Sequence, residues 1–502
     1  MKKYILLVVW LSLSVIAKAS SDFSAIFNKF EMKFDDLLED IFFEDLNNDQ
    51  LKDILVLTKD ENNKKKLHLF FQNRNGFNPV PSQTLDFDKN AIIFDIGNVT
   101  NRYPGKEIVY LTPTGLKYYH FEGEIYHPEP KELADVSSIF QSPSPESPVR
   151  SRFIWDFNGD SLGYLLVPVS DYLLLLSSDR DEKYKIIQKL HLGPIFVTQS
   201  HSKASADTEF FENFSQKVTI YVPLIYVEDF NGDQRKDILS LFREQLKVFF
   251  QNEKKGFSEE PDFALDLGIL TEEEKQNPSL PFYKVFATDV DNDGLIDILV
   301  SKSQIKTTTS LSKIYIYLNK KGKIDSSPDQ ILVNESSFGT PEVLDVDGDQ
   351  HKDLVISEIK MGIFQIFKML LTKKLSYEDA IYLGQKGQYP SLPAARVKSK
   401  VIFDFDNPGK KPEGDIAYFS GDFNRDGIKD VLRKVDGKNE LIIYLGGLEK
   451  KKINFAEKPS HRVHEELSSG IIIEDLNNDR SSDIIFDFRR EKKRILVLFL
   501  SK

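Results

Sequence analysis

The stretch "TDVDNDGLIDILVSK", residues 288–302, sets Asp289, Asp291, Asp293 and Asp297 within nine positions and then runs into an apolar segment. Alone, it reads as a solvated turn or a cation loop ahead of a strand, since Asp and Asn also make metal-free turns. Its recurrence decides between architectures. "FFEDLNNDQLKDILVLT" follows from Phe42, "VEDFNGDQRKDILSLF" from Val227, "VLDVDGDQHKDLVIS" from Val343, "SGDFNRDGIKDVLRK" from Ser420 and "IEDLNNDRSSDIIFDF" from Ile473. Two degenerate copies lie at "FDIGNVTNRYPGKEIVYLT" from Phe94 and "IWDFNGDSLGYLLVPV" from Ile154. The eight copies begin at Asp45, Asp95, Asp156, Asp229, Asp289, Asp345, Asp422 and Asp475, on average about 61 residues apart.

Each copy follows one grammar: a short apolar run, the acidic loop, a β-branched run, a polar turn, and an alternating segment such as "KLHLFFQNRNGF" or "KIYIYLNKKGK". Alternation with period two between Gly and Asn turns predicts strands. About sixty residues accommodate four strands of ordinary length. A lone four-stranded sheet cannot bury both faces, and radial packing of successive sheets solves that. The expected fold is therefore all-β, a β-propeller of four-stranded blades. Eight blades are favoured, with seven left open by the degenerate second and third copies. A parallel β-helix is disfavoured because its rungs are far shorter. "EMKFDDLLEDIFF", residues 31–43, is the one helix-ambiguous segment. After Asp475 the chain holds only three strands, so "FEMKF" (residues 30–34) is expected to pair near Arg494–Leu500 and close the ring. Residues 141–152, 198–216 and 384–400 read as loop insertions.

Six copies fit D-x-[DN]-x-[DN]-x-x-x-D, with side-chain oxygens at positions 1, 3, 5 and 9. Hard oxygen donors at alternating positions suit Ca²⁺, which takes six to eight of them in flexible geometry, better than Mg²⁺. An EF-hand would need Glu at position 12 and flanking helices. Position 12 is instead Val56, Ser240, Val300, Ile356, Arg433 or Phe486. The repeats resemble the FG-GAP/VCBS repeats of the integrin α-subunit N-terminal propeller and of many secreted bacterial proteins. The resemblance implies Ca²⁺ held between the first and second strands of a blade. Its ligand positions fall on Asp45, Asn47, Asp49 and Asp53 in copy one, and on Asp229, Asn231, Asp233 and Asp237 in copy four. They fall on Asp289, Asp291, Asp293 and Asp297 in copy five, and on Asp345, Asp347, Asp349 and Asp353 in copy six. Copy seven offers Asp422, Asn424, Asp426 and Asp430; copy eight offers Asp475, Asn477, Asp479 and Asp483. Copy three has Tyr164 at position 9, and copy two has Gly97 at position 3 with Glu107 as a late acid, so neither is expected to hold an ion strongly. Mutual repulsion of four carboxylates makes copies five and six the strongest expected sites.

The first nineteen residues read as an export signal: Lys2 and Lys3, an apolar core from Tyr4 to Ile16, and "AKA" before Ser20. The core is too short to span a bilayer, and no later stretch is long enough. Residues 20–502 are then one propeller domain in the periplasm, at the cell surface or outside the cell. With no cysteine, disulfides, thiolate metal sites and Cys nucleophiles are excluded. Loss of residues 1–19 shifts the net charge from −12 to −15, which argues against nucleic acid as a partner. No catalytic constellation is found. "HRVHEE" (residues 461–466) lacks the zincin order, and "FDFDNPGKKPEGD" (residues 403–415) reads as a strand end and turn. The expected function is a non-catalytic, monomeric scaffold for a protein or carbohydrate ligand. The alternatives are a lectin-like or polysaccharide-processing protein, for which "YYHFEGEIYH" (residues 118–127) is the dense aromatic cluster, and a purely structural envelope component.

Overall fold

The computed structural model describes residues 21–139, 148–178, 183–193, 196–203, 214–276, 282–305, 310–335, 341–359, 363–402, 413–449, 452–466, 470–490 and 493–502. The proposed export signal lies outside them. The fold is all-β. Each acidic copy opens an antiparallel meander, typified by copy one: Leu37–Glu44, Asp53–Lys59, Lys65–Phe70 and Gln83–Asp86 pair in sequence order. Copy five repeats it with Phe282–Thr288, Asp297–Ile305, Ser310–Tyr317 and Gln330–Asn334. The acidic loop joins the first strand to the second, and the ninth-position Asp is the second strand's first residue.

Burial along one meander explains the sequence grammar. The second strand of copy one, "DILVLTK", is buried at six consecutive positions because neighbours cover both of its faces. The third strand alternates, and the fourth exposes every residue on one face. Hence an unbroken β-branched run follows each acidic loop, whereas the outer strands read as mixed polar segments.

Eight apolar clusters among the described residues each join neighbouring copies. One holds Leu55 and Leu57 of copy one with Phe94 and Tyr110 of copy two; another holds Leu299 and Ile316 of copy five with Leu354 and Ile356 of copy six. A cluster of Met32, Ile54, Val56, Ile485 and Leu498 joins copy eight to copy one. The chain termini meet in the sheet of copy eight, where Phe27–Lys33 runs antiparallel to Lys493–Ser501, with Phe30 opposite Leu498 and Met32 opposite Leu496. The expected pairing of residues 30–34 with the C-terminal strand is therefore found, Phe34 adding a backbone bond to Arg494. Residues 31–43 contribute to two strands and no helix.

Three sequence expectations are corrected. Residues 384–400 are not an insertion, because Ala395–Ile402 is the outer strand of copy six, paired with Lys374–Tyr382. Its alternation is polar outward, which hid it. The true insertion there is a helix at Ile363–Thr372, between the second and third strands. Thr198–Gln216 falls on a two-stranded hairpin, Phe196–Lys203 with Phe214–Tyr221, rather than a plain loop. Of residues 141–152, the first seven lie outside the described residues, and Val149–Arg150 adds a short parallel strand to copy two. Most of 403–415 also lies outside them.

Candidate metal centre

The acidic loop is wound around its first carboxylate. In copy five, Asp289 Oδ1 accepts from Asp293 N at 3.2 Å and Oδ2 from Gly294 N at 2.8 Å. Asp45, Asp156, Asp229, Asp345, Asp422 and Asp475 accept in the same way from backbone N–H groups three to five residues on. Position 5 then accepts from position 7, as Asp293 does from Leu295 N at 2.9 Å. Such winding puts positions 4 and 6 in the left-handed region, at Asn292 (φ 59°) and Gly294 (φ 87°) in copy five. That requirement explains Asn or Gly at position 4 in every strong copy but the seventh, which has Arg425, whereas position 6 is Gly only in copies five and seven and Gln50, Gln234, Gln350 or Arg480 in the others.

The ninth-position Asp has a role that the sequence did not reveal. Asp53, Asp237, Asp297, Asp353, Asp430 and Asp483 are all essentially inaccessible to solvent. In each, one oxygen accepts the N–H of position 2 and the other an N–H at the end of the third strand. For Asp297 the donors are Val290 N at 2.9 Å and Asn319 N at 2.7 Å. For Asp353 they are Val346 N and Gly384 N, both at 2.7 Å. Leu46 and Gln72, Phe230 and Gln251, Phe423 and Gly446, and Leu476 and Ser501 serve the other four. The carboxylate thus brackets loop and strand, satisfying two donors that would otherwise be buried unpaired. In copy two Glu107 takes the loop half of this role, accepting from Val99 N at 2.8 Å and Thr100 Oγ1 at 2.6 Å, both in the loop.

Burial pushes Asp53, Asp297 and Asp353 up to about 7, and Asp237, Asp430 and Asp483 to about 6. Neighbouring acids add to the rise, while the two N–H bonds oppose it. A cation beside the carboxylate would reverse that shift.

The third position distinguishes the copies. Where it is Asn, the amide donates to the fifth-position carboxylate: Asn47 to Asp49 at 3.1 Å, Asn231 to Asp233 at 3.2 Å, Asn424 to Asp426 at 2.8 Å and Asn477 to Asp479 at 3.1 Å. Two copies add a guanidinium. Arg235 pairs with Asp233 in its own loop, and Arg425 of copy seven reaches Asp479 of copy eight at 2.5 Å. In the degenerate copy two, Arg150 lies 3.9 Å from Asp95 while binding Glu44 at 2.5 Å. Copies five and six have Asp at the third position and, among the described residues, neither a side-chain amide nor a guanidinium on the fifth; in copy six His351 Nδ1 lies 3.3 Å from Asp349.

There the acids converge. One oxygen from each of Asp289, Asp291 and Asp297 lies within 4.8 Å of the others, and Asp345, Asp347 and Asp353 form a second such triad. Among the described residues no other group of three acids or histidines does so. Asp291 Oδ1 is buried with no hydrogen-bond partner, and burial together with the flanking acids raises both Asp291 and Asp347 above the usual carboxylate range. An all-carboxylate donor set, an orphaned buried oxygen and this spacing fit a hard divalent cation bound at about 2.3–2.6 Å per oxygen. The triads could hold a metal ion.

The other candidates dissolve into structure. Tyr118, Tyr119, His120 and Tyr126 are buried, and Tyr119 and Tyr126 lie in the cluster joining copies one and two, so the aromatic segment is core. His461 and His464 sit on a strand, where His464 faces Glu440 at 3.4 Å.

Residues 229–300 and 289–356 match the FG-GAP-like repeat family, and these residues, which span copies four to six, are FG-GAP-like repeats. The chain is also similar to a lectin from Agrocybe aegerita described as recognising non-reducing terminal N-acetylglucosamine. Identity is 13%, with 94% of this chain and 99% of that chain covered, at a TM-score of 0.41. A putative 6-phosphogluconolactonase from Bacteroides uniformis is similar at 11% identity, with 86% and 99% covered and a TM-score of 0.31. Likeness at these TM-scores bears on neither the fold nor the function of this chain.

Proposed function

We propose that the chain is an exported, calcium-stabilised β-propeller that serves as a non-catalytic scaffold for a protein or glycan ligand. In this reading residues 1–19 are the export signal and residues 20–502 one eight-bladed ring, each blade a four-stranded meander. The strand Phe27–Lys33 closes the ring on the C-terminal strand. The cyclic succession of apolar clusters, copy eight to copy one included, supports it. So does a hydrogen bond relayed from loop to loop: Lys52 N donates to Leu476 O at 2.8 Å, Lys106 N to Leu46 O at 2.8 Å, and Lys429 N to Val346 O at 2.8 Å.

The observation that carries the calcium assignment is the pair of uncompensated Asp triads in copies five and six. Asp289, Asp291, Asp293 and Asp297 would hold one ion, and Asp345, Asp347, Asp349 and Asp353 the other. The corresponding residues of copies one, four, seven and eight would hold weaker ones. Bound calcium would neutralise carboxylates that the fold has already buried, coupling ion binding to stability. Calorimetric titration of the calcium-stripped protein tests this. The expected result is a tight class of about two sites, lost in Asp291→Ala/Asp347→Ala. Absence of calcium heat in the wild type, or an unchanged tight class in the double variant, would overturn it.

A further inference from the structure

The helix Ile363–Thr372, "IFQIFKMLLT", interrupts the sheet of copy six between its second and third strands. In an antiparallel meander that turn lies at the end of the sheet opposite the acidic loop. The helix leaves large apolar side chains in solvent: Phe367 is 61% exposed, Leu370 58% and Leu371 84%. A helix so apolar normally buries most of its surface, and an exposed cluster of this kind marks an interaction site.

The surrounding charge says what would cover it. Between Glu358 and Glu378 the sequence has four lysines and no acid, in a chain whose net charge is −12. Lys368 is exposed on the helix, and Lys374 is exposed at the start of the following strand. On the paired outer strand Lys398 and Lys400 also face solvent, Lys400 opposite Ser376. These four lysines border a groove of about 670 Å³ between helix and sheet. The groove's acids Glu358, Glu378 and Asp415 are engaged by Arg396 (3.7 Å from Glu378, which stands opposite Lys398) and by Arg433 (2.9 Å from Asp415), and Lys368, Lys374, Lys398 and Lys400 have no ion-pair partner among the described residues.

From this juxtaposition we propose that the helix and its lysine border form a docking surface for an anionic lipid bilayer. Phe367, Leu370 and Leu371 enter the boundary between headgroups and acyl chains, and the lysines meet the lipid phosphates. Ten residues are far too few to cross a bilayer, so the helix lies in the interface plane. Each lysine near an anionic surface strengthens binding roughly fivefold. The attachment would fix one end of the sheets to the membrane and leave the acidic loops directed away from it.

Co-sedimentation of residues 20–502 with vesicles tests the proposal, using phosphatidylglycerol–phosphatidylcholine mixtures against pure phosphatidylcholine. Binding is expected to the anionic vesicles and to weaken with salt. Phe367→Ser/Leu371→Ser should lower affinity by about tenfold or more, and Lys368→Glu/Lys374→Glu by a similar factor, with melting midpoints unchanged because all four side chains are exposed. Equal binding to both vesicle types, no binding, or variants that sediment like the wild type would overturn it. So would a wild-type dimer in light scattering that Phe367→Ser/Leu371→Ser dissociates, since a second copy would then cover the face.

Discussion

Asp297 and Asp291 belong to the same acidic loop, yet they should fail in opposite ways when removed. Asp297→Ala deletes the acceptor of two buried donors, Val290 N at 2.9 Å and Asn319 N at 2.7 Å. A buried donor left without an acceptor costs about 1–3 kcal/mol, so the pair should cost roughly 2–6 kcal/mol whether or not calcium is present. Asp291→Ala instead removes a carboxylate whose buried oxygen has no partner and which repels Asp289 and Asp293. In chelator it should be neutral or slightly stabilising. In calcium it should lose the contribution of its site, about 2.7 kcal/mol where free ion stands at 100 times the dissociation constant. Urea unfolding followed by circular dichroism, with each variant in chelator and in calcium, separates the two. The reasoning is refuted if Asp297→Ala lies within about 0.5 kcal/mol of wild type in chelator, a surface-like effect. It is refuted equally if Asp291→Ala proves as costly as Asp297→Ala there.

Three further outcomes follow from the same geometry. In chelator, stability should fall as pH rises from about 4 to 7. The ninth-position carboxylates keep their proton to about 6 or 7 in the folded chain but lose it near 3.8 when unfolded, so the native state binds more protons across that window; thermal melts at stepped pH read the slope, and saturating calcium should flatten it. Arg235→Ala removes the guanidinium on Asp233, and calorimetry should then find calcium binding tighter at copy four, with copies five and six unchanged. Met32→Ala, at a fully buried position between the N-terminal strand and copies eight and one, should cost about 2–5 kcal/mol by urea unfolding and make residues 21–33 sensitive to protease.

Much of the architecture was legible because the loop imposes strict chemistry at fixed spacing. Asp at positions 1 and 5, and Asn or Gly at position 4 in every strong copy but the seventh (Arg425), follow from a chain that must coil around a carboxylate, and that pattern survives in copies whose strands differ. The pairing of residues 30–34 with the C-terminal strand could be inferred by counting strands after Asp475. The role of the ninth Asp could not, because its second donor comes from as far as 31 residues along the chain, at Gly384 for Asp353. Nor could the guanidinium substitutions: Arg425 neutralises Asp479 of the next copy, a contact that exists only once the copies are packed. The outer strand Ala395–Ile402 was missed because one face is in water and its sequence, "ARVKSKVI", carries little apolar signal. The helix at 363–372 does carry a helical pattern, with Gln365, Lys368 and Thr372 at i, i+3 and i+7, but ten residues are too few for that period to stand out from the apolar strands around it.

A thermal melt of residues 20–502 in excess calcium, in magnesium and in chelator tests the central claim most directly. The account predicts a midpoint that is raised by calcium and little changed by magnesium, since the loops offer flexible oxygen-rich cages rather than a strict octahedron. Three coincident curves, together with no calcium in elemental analysis of the purified protein, would contradict it and leave the acids as turn-forming residues alone.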